Sequence, residues 1–291
     1  MVDVPQIHAT KTFAPLSCIT LHDNFSTKEL PLSLIALHDP SIIEQYMRHN
    51  TLLHIYELGD LDAFFWNQTQ WYALTNDEEI EAVALLYIAF TPPILIVLTN
   101  NAKTCERMVS QLAPFLPRSF YSILSIEAQT LLSDYTATPH GLFHRFGLQN
   151  KQAVFSQETM GARVLTVDDL PAIHTLYNSA YPDVHFDPRT LETTRVYGIE
   201  RDNQLVTIAG IHVYSETLKV AAIGNVTTHP AYRGQGLAIA VCAAVCRSLL
   251  EAGIEHIGLN VRSDNAAALA IYRKLGFVHV ADFYEASYKL K

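Results

Sequence analysis

The sequence predicts an α/β fold, a mixed central sheet flanked by helices, built as two tandem domains. Three observations carry the prediction. Apolar runs of strand length alternate with amphipathic stretches of helix length, that order occurs twice along the chain, and one strand is joined to a long apolar helix by a glycine-rich turn. At 291 residues there is room for two cores, and 49% hydrophobic against 17% charged residues describes a folded chain.

In the first half, residues 1 to about 30 lack a clear period and are expected to form an arm. A helix over Ser41 to Asn50 and a loop through Leu58-Gly59-Asp60 come next. Strands follow at Trp71 to Leu74, Ala82 to Ile88 and Ile94 to Leu98. A helix near Ala102 to Phe115, a strand around Phe120 to Ile126, a short helix near Ala128 to Tyr135 and a strand near Phe143 to Phe146 complete it. The polar, weakly patterned segment Gly147 to Gly161 suits a linker, which places one domain over 1–150 and the other over 151–291.

In the second half the order recurs. A strand at Arg163 to Leu165 precedes a helix from Asp168 to Tyr177 and a long loop holding Tyr181, His185 and Phe186. Strands are expected at Tyr197 to Glu200, Leu205 to Tyr214 and Val220 to Thr227. A helix from Gly236, a strand at His256 to Val261, a helix from Asn265, and terminal strands near Val278 to Tyr284 and Ser287 to Leu290 follow.

Charge and composition exclude several functions. The net charge of −9, with no long basic block, argues against nucleic acid or an anionic membrane as partner. Met1 to Pro5 lack the flank and apolar block of a signal peptide, and no apolar run reaches membrane-span length, so a cytoplasmic location is the default expectation. The four cysteines are scattered and read as reduced thiols, with Cys242 and Cys246 as core residues. The 13 histidines show no ligand spacing, so no metal is expected.

Chemistry concentrates in two motifs. In Arg233-Gly234-Gln235-Gly236-Leu237-Ala238 the glycines let backbone approach a ligand, and the first amides of the following helix lack carbonyl partners within it. That is a phosphate cradle, although neither a P-loop nor a Gly-x-Gly-x-x-Gly fingerprint is present. About thirty residues on, Asp264 or Asn265 can cap a helix that Gly276-Phe277 closes, with Tyr272 two turns after Asn265.

With these residues the chain resembles the GNAT superfamily of acyl-CoA-dependent N-acetyltransferases. Its signature Gln/Arg-x-x-Gly-x-Gly/Ala is matched by Arg233, Gly236 and Ala238, after Val226-Thr227-Thr228-His229-Pro230-Ala231-Tyr232. Asn265, Ala268, Tyr272 and Lys274 to Phe277 match the downstream signature. The resemblance covers about 162–291. In residues 35–150 only the order of elements agrees, and Pro93 to Lys103 contains no cradle. A degenerate first half without a cofactor site would pack, shape the acceptor cleft or dimerise, a homodimer being one arrangement this allows.

The resemblance implies acetyl-CoA as co-substrate and direct transfer to a primary amine of a small molecule or peptide in a ternary complex. It implies pantetheine on the backbone of Val226, Thr227 and Thr228, and pyrophosphate on Gly234, Gln235, Gly236, Leu237 and Ala238. Arg233 and Asn265 would also contact the cofactor, and Tyr272 would protonate the leaving thiolate. An ammonium must first lose a proton. The strand Lys219 to Asn225 offers no carboxylate, so His212 is the first candidate base, before His229 and Glu216. The competing readings are a non-catalytic acyl-CoA-binding regulatory module and a glycine N-acyltransferase-like enzyme using a longer acyl-CoA.

Overall fold

In a computed structural model, the described residues are 32–76, 79–99, 101–182, 184 and 186–291. The expected N-terminal arm lies outside them. Residues 32–291 form one compact unit around a 12-stranded sheet.

The strands are β1 (Leu32–Leu37), β2 (Thr69–Asn76), β3 (Glu79–Tyr87), β4 (Ile94–Val97), β5 (Ser119–Leu124), β6 (Tyr135–Leu148), β7 (Arg163–Val164), β8 (Tyr197–Arg201), β9 (Gln204–Ser215), β10 (Val220–Thr228), β11 (His256–Arg262) and β12 (Phe277–Leu290). The helices are α1 (Pro40–Met47), α2 (Ile55–Asp60), α3 (Ala63–Trp66), α4 (Ala102–Leu112), α5 (Lys151–Phe155), α6 (Leu170–Ala180), α7 (Leu237–Glu251) and α8 (Ala266–Lys274).

Strand order is β1-β2-β3-β4-β5-β12-β6-β11-β10-β9-β8-β7. Each half contributes an antiparallel run of four strands whose last member pairs in parallel with a fifth, β4 with β5 and β10 with β11. A helix covers each parallel crossover, α4 in the first half and α7 in the second. The sixth strands are exchanged: β12 pairs with β5, β6 pairs with β11, and the two pair with each other.

Cores lie on both faces of the second half's sheet. Ala221 and Ile223 of β10 pack with Val241, Cys242, Val245 and Cys246 of α7. Val220 and Ala222, pointing the other way, pack with Ile55, Tyr56 and Leu58 of α2. A helix from the first half therefore covers the second half's sheet.

Four expectations need correction. The loop through Gly59 is part of α2; the glycine is there for close approach, since a Cβ on it would lie 2.5 Å from Val213 Cβ. The helix near Ala128 to Tyr135 is instead a 3-10 turn over Ile126–Leu131. The two terminal strands are one strand, β12, with irregular register between His279 and Ala281 and between Glu285 and Ala286. Edge strand β1 adds to the expected set, and β6, at 14 residues, extends far beyond Phe143 to Phe146.

Candidate functional site

β10 and β11 pair at only three positions, Val220 with His256, Ala221 with Ile257 and Ala222 with Gly258. Beyond Ala222 the strands part. On the other edge of β10, register against β9 shifts between Ala222 and Ile223, where His212 is the extra residue on β9, and again between Gly224 and Thr227, where Asn225 and Val226 stand against Ala209. Such irregularities bend the strands where they occur. Asn225 takes a positive φ of 54° there, and the buried Tyr177 hydroxyl on α6 donates to its carbonyl at 3.0 Å.

The chain leaves the opened strand through Val226, Thr227 and Thr228. Thr207 Oγ1 donates to the Thr227 carbonyl at 2.9 Å and shares a 2.8 Å hydrogen bond with Thr228 Oγ1, fixing this end of β10 to β9. Arg233 then donates to the Thr228 carbonyl at 3.2 Å, holding the turn against the strand end. Gly234 and Gly236 both adopt left-handed φ, 78° and 76°, which a side chain would strain although the space beside each is open. Gly236 is the residue before α7, and no side chain caps the helix. Gln235 and both glycines are exposed, Leu237 is buried and Ala238 half-buried, so the exposed turn leads directly into the anchored first turn of α7. The first amides of that helix are therefore ready to meet a negatively charged group.

Asn265 caps α8, its Oδ1 accepting from the Ala268 amide at 3.1 Å, and Tyr272 lies buried on the same helix. Burial raises the Tyr272 phenol well above its ordinary range, with Cys242, Tyr56, Cys246 and Tyr181 adding to the shift. It stays protonated at neutral pH and can give a proton. Cys242 and Cys246 are fully buried, and burial pushes the Cys242 thiol up to about 12, so they are packing residues.

His212 is half-buried on β9, so close that a Cβ on Gly224 would fall on its imidazole. Its ring centroid is 5.8 Å from that of Tyr56 on α2. The other two histidine and glutamate candidates lie elsewhere. His229 Nδ1 accepts from the Ala231 amide, a turn-capping role, and Glu216 is exposed in the β9–β10 turn, roughly 15 Å along the strand from Gly224 at 3.3 Å per residue.

Two residues of this region have no sequence signal. Tyr56 is buried beside His212, with the guanidinium of Arg145 4.7 Å from its ring centroid. Glu285 on β12 is buried and accepts a short hydrogen bond from Tyr121 on β5. Burial raises its carboxyl to about 7, against the opposing pull of the Tyr121 hydrogen bond, Arg145 and Arg262. The charge of Glu285 also acts on Tyr56, and Tyr181 on both Tyr121 and Tyr272, so these side chains share one electrostatic neighbourhood. In the long loop after α6, Tyr181 is exposed while Phe186 packs on Tyr177 at 5.4 Å. Asp183 and His185 lie outside the described residues.

Residues 165–277 match the model of the Acetyltransferase (GNAT) family. Among curated proteins, mycothiol acetyltransferase of Amycolatopsis mediterranei is 46% identical over 59 residues, 20% of this chain and 20% of that protein. The [Ribosomal protein bS18]-alanine N-acetyltransferase of Escherichia coli is 34% identical over 70 residues, 24% of this chain and 47% of that one. The chain thus spans a fifth to about half the length of these relatives. A solved tandem GNAT protein from the clavulanic acid biosynthesis pathway superposes with a TM-score of 0.51 at 11% identity, covering 88% of this chain and 98% of its own, which shows likeness of fold. No described helix is long and apolar enough to cross a membrane.

Proposed function

We propose, from the premise that residues 165–277 are a GNAT-family acetyltransferase domain, that the chain moves an acetyl group from acetyl-CoA to a primary amine. Residues 151–291 form the catalytic domain, and residues 1–150 a GNAT-like half without a cofactor site of its own. One observation carries this reading: the strand that opens, β10, is the one that runs into the uncapped glycine turn. The residues fit acetyl-CoA. An extended pantetheine arm needs a strand edge without a partner, and a pyrophosphate needs free amides; both occur in succession over Val226 to Ala238.

When bound, acetyl-CoA supplies an activated acyl thioester. The backbone amide near Val226 polarises the carbonyl as charge develops on its oxygen. Gly234 to Ala238 hold the diphosphate, Arg233 lies beside it and Asn265 contacts the cofactor. Tyr272, kept protonated by burial, donates to the departing sulfur. His212, over Gly224 at the parting of the strands, takes the amine's proton. A second acceptor for that proton is favoured by a specific observation: Glu285 is a buried carboxyl near 7, the range in which a general base works.

The test is release of CoA thiol from acetyl-CoA with a panel of small primary amines and N-terminal peptides. The expected result is amine-dependent release, which His212→Ala or Glu285→Gln lowers about 100-fold while acetyl-CoA affinity stays within twofold. Tight acetyl-CoA binding with no release from any amine would make the domain a non-catalytic acyl-CoA-binding module.

A further inference from the structure

A cluster on the exchanged strands lies outside the site above. We propose that His144, His279 and Asp282 form a zinc site that ties β6 to β12. Asp282 Oδ1 lies 2.6 Å from His144 Nδ1 and 2.6 Å from His279 Nε2. All three ligand atoms lie within 4.8 Å of one another, and among the described residues this is the one grouping of its kind.

The arrangement depends on the bulge in β12. Residues three apart on a regular strand point to opposite faces. Here His279 pairs with Phe146, Ala281 with Arg145 and Asp282 with His144, so one extra residue lies between them and His279 and Asp282 share a face with His144. Phe146 orients both imidazoles, its ring lying 5.8 Å from His279 at 88° and 6.3 Å from His144. The two imidazoles meet edge to face at 5.2 Å.

Two imidazole nitrogens and a carboxylate oxygen are a zinc donor set, and water completes a tetrahedron. Bonds of about 2.0–2.1 Å put tetrahedral ligand atoms about 3.3 Å apart, between the 2.6 Å and 4.8 Å of this cluster. The His279 and Asp282 side chains are exposed, so neither is held in place by surrounding packing. His144 on β6 and Asp282 on β12 are 138 residues apart in sequence, so a bound ion would cross-link the exchange of β6 and β12. The same spacing explains why no ligand pattern is visible in the sequence.

The probe is Zn2+ alone, added to the full chain after chelator treatment and followed by calorimetry and thermal unfolding. One Zn2+ per chain is expected, with a rise in Tm. His279→Ala and, separately, Asp282→Asn should weaken binding at least tenfold and abolish the rise, each variant first shown folded by circular dichroism. Co2+ substitution should give ligand-field bands without thiolate charge transfer, since the donor set is two imidazoles and a carboxylate and the described cysteines, Cys105, Cys242 and Cys246, are buried. Absence of stoichiometric Zn2+ binding, equal binding by both variants, or a thiolate spectrum would overturn the proposal and leave the His-Asp-His cluster a hydrogen-bonded contact only.

Discussion

The two parallel seams of the sheet share a topology and differ in chemistry. β4 and β5 stay paired from Ile94 with Tyr121 to Val97 with Leu124. The ladder even continues past both ends, through Tyr121 N to Pro93 O at 2.8 Å and Ser125 N to Val97 O at 3.1 Å. β10 and β11 part after three pairs. The helix starts differ in the same sense: Asn101 caps α4 by accepting from the Thr104 amide at 3.2 Å, whereas α7 begins at Gly236 with no side-chain cap. On the function proposed above, a strand-crossover-strand unit serves as a ligand site where its seam opens and glycine leaves its helix amides uncapped, and as a structural unit where neither occurs.

The largest expected effect comes from closing the open end. Gly236→Val forces a β-branched residue to a φ of 76°, and acetyl-CoA affinity should fall at least 100-fold by calorimetry with the fold retained. Next, Tyr272→Phe removes the proposed proton donor and keeps the packing. The expected loss is about 100-fold in kcat with unchanged acetyl-CoA Kd; an equal loss in both would assign the tyrosine to binding instead.

Glu285 gives a pH-linked prediction. Its carboxyl is raised from an ordinary 4.5 to about 7, so between these values the folded chain holds a proton that the unfolded chain has released. Its stabilising contribution is present below pH 4.5 and lost as pH rises through 7. Chemical denaturation at pH 5 and pH 8 should show that Glu285→Gln removes a decline of up to about 3 kcal/mol. An unchanged slope would mean that Glu285 titrates in its ordinary range. The smallest effect belongs to the closed seam: Asn101→Ala should cost about 1 kcal/mol of stability as a lost cap and leave acetyl-CoA affinity unaltered.

What was legible in the sequence is what depends on neighbours along the chain. Gly234, Gly236 and the apolar run of α7 are contiguous, and Asn265 caps the helix that carries Tyr272. Pairing register is not local. The shifts at Ala222 and Gly224 of β10 depend on β9, and the exchange of β6 with β12 depends on strands far apart in sequence. Tyr56 is not legible in the sequence because Gly59 reads as a helix breaker, although it admits α2 against Val213. Glu285 stands out only once burial and Tyr121 are known, since a glutamate in a terminal strand otherwise reads as surface.

Hydrogen–deuterium exchange with and without acetyl-CoA compares the two seams in one measurement. Protection is predicted for amides of residues 223–228 and 234–240, with residues 94–99 and 101–104 unchanged. Protection across 94–104 in place of 223–240, or none in either seam under saturating acetyl-CoA, would contradict the assignment of the open seam as the cofactor site.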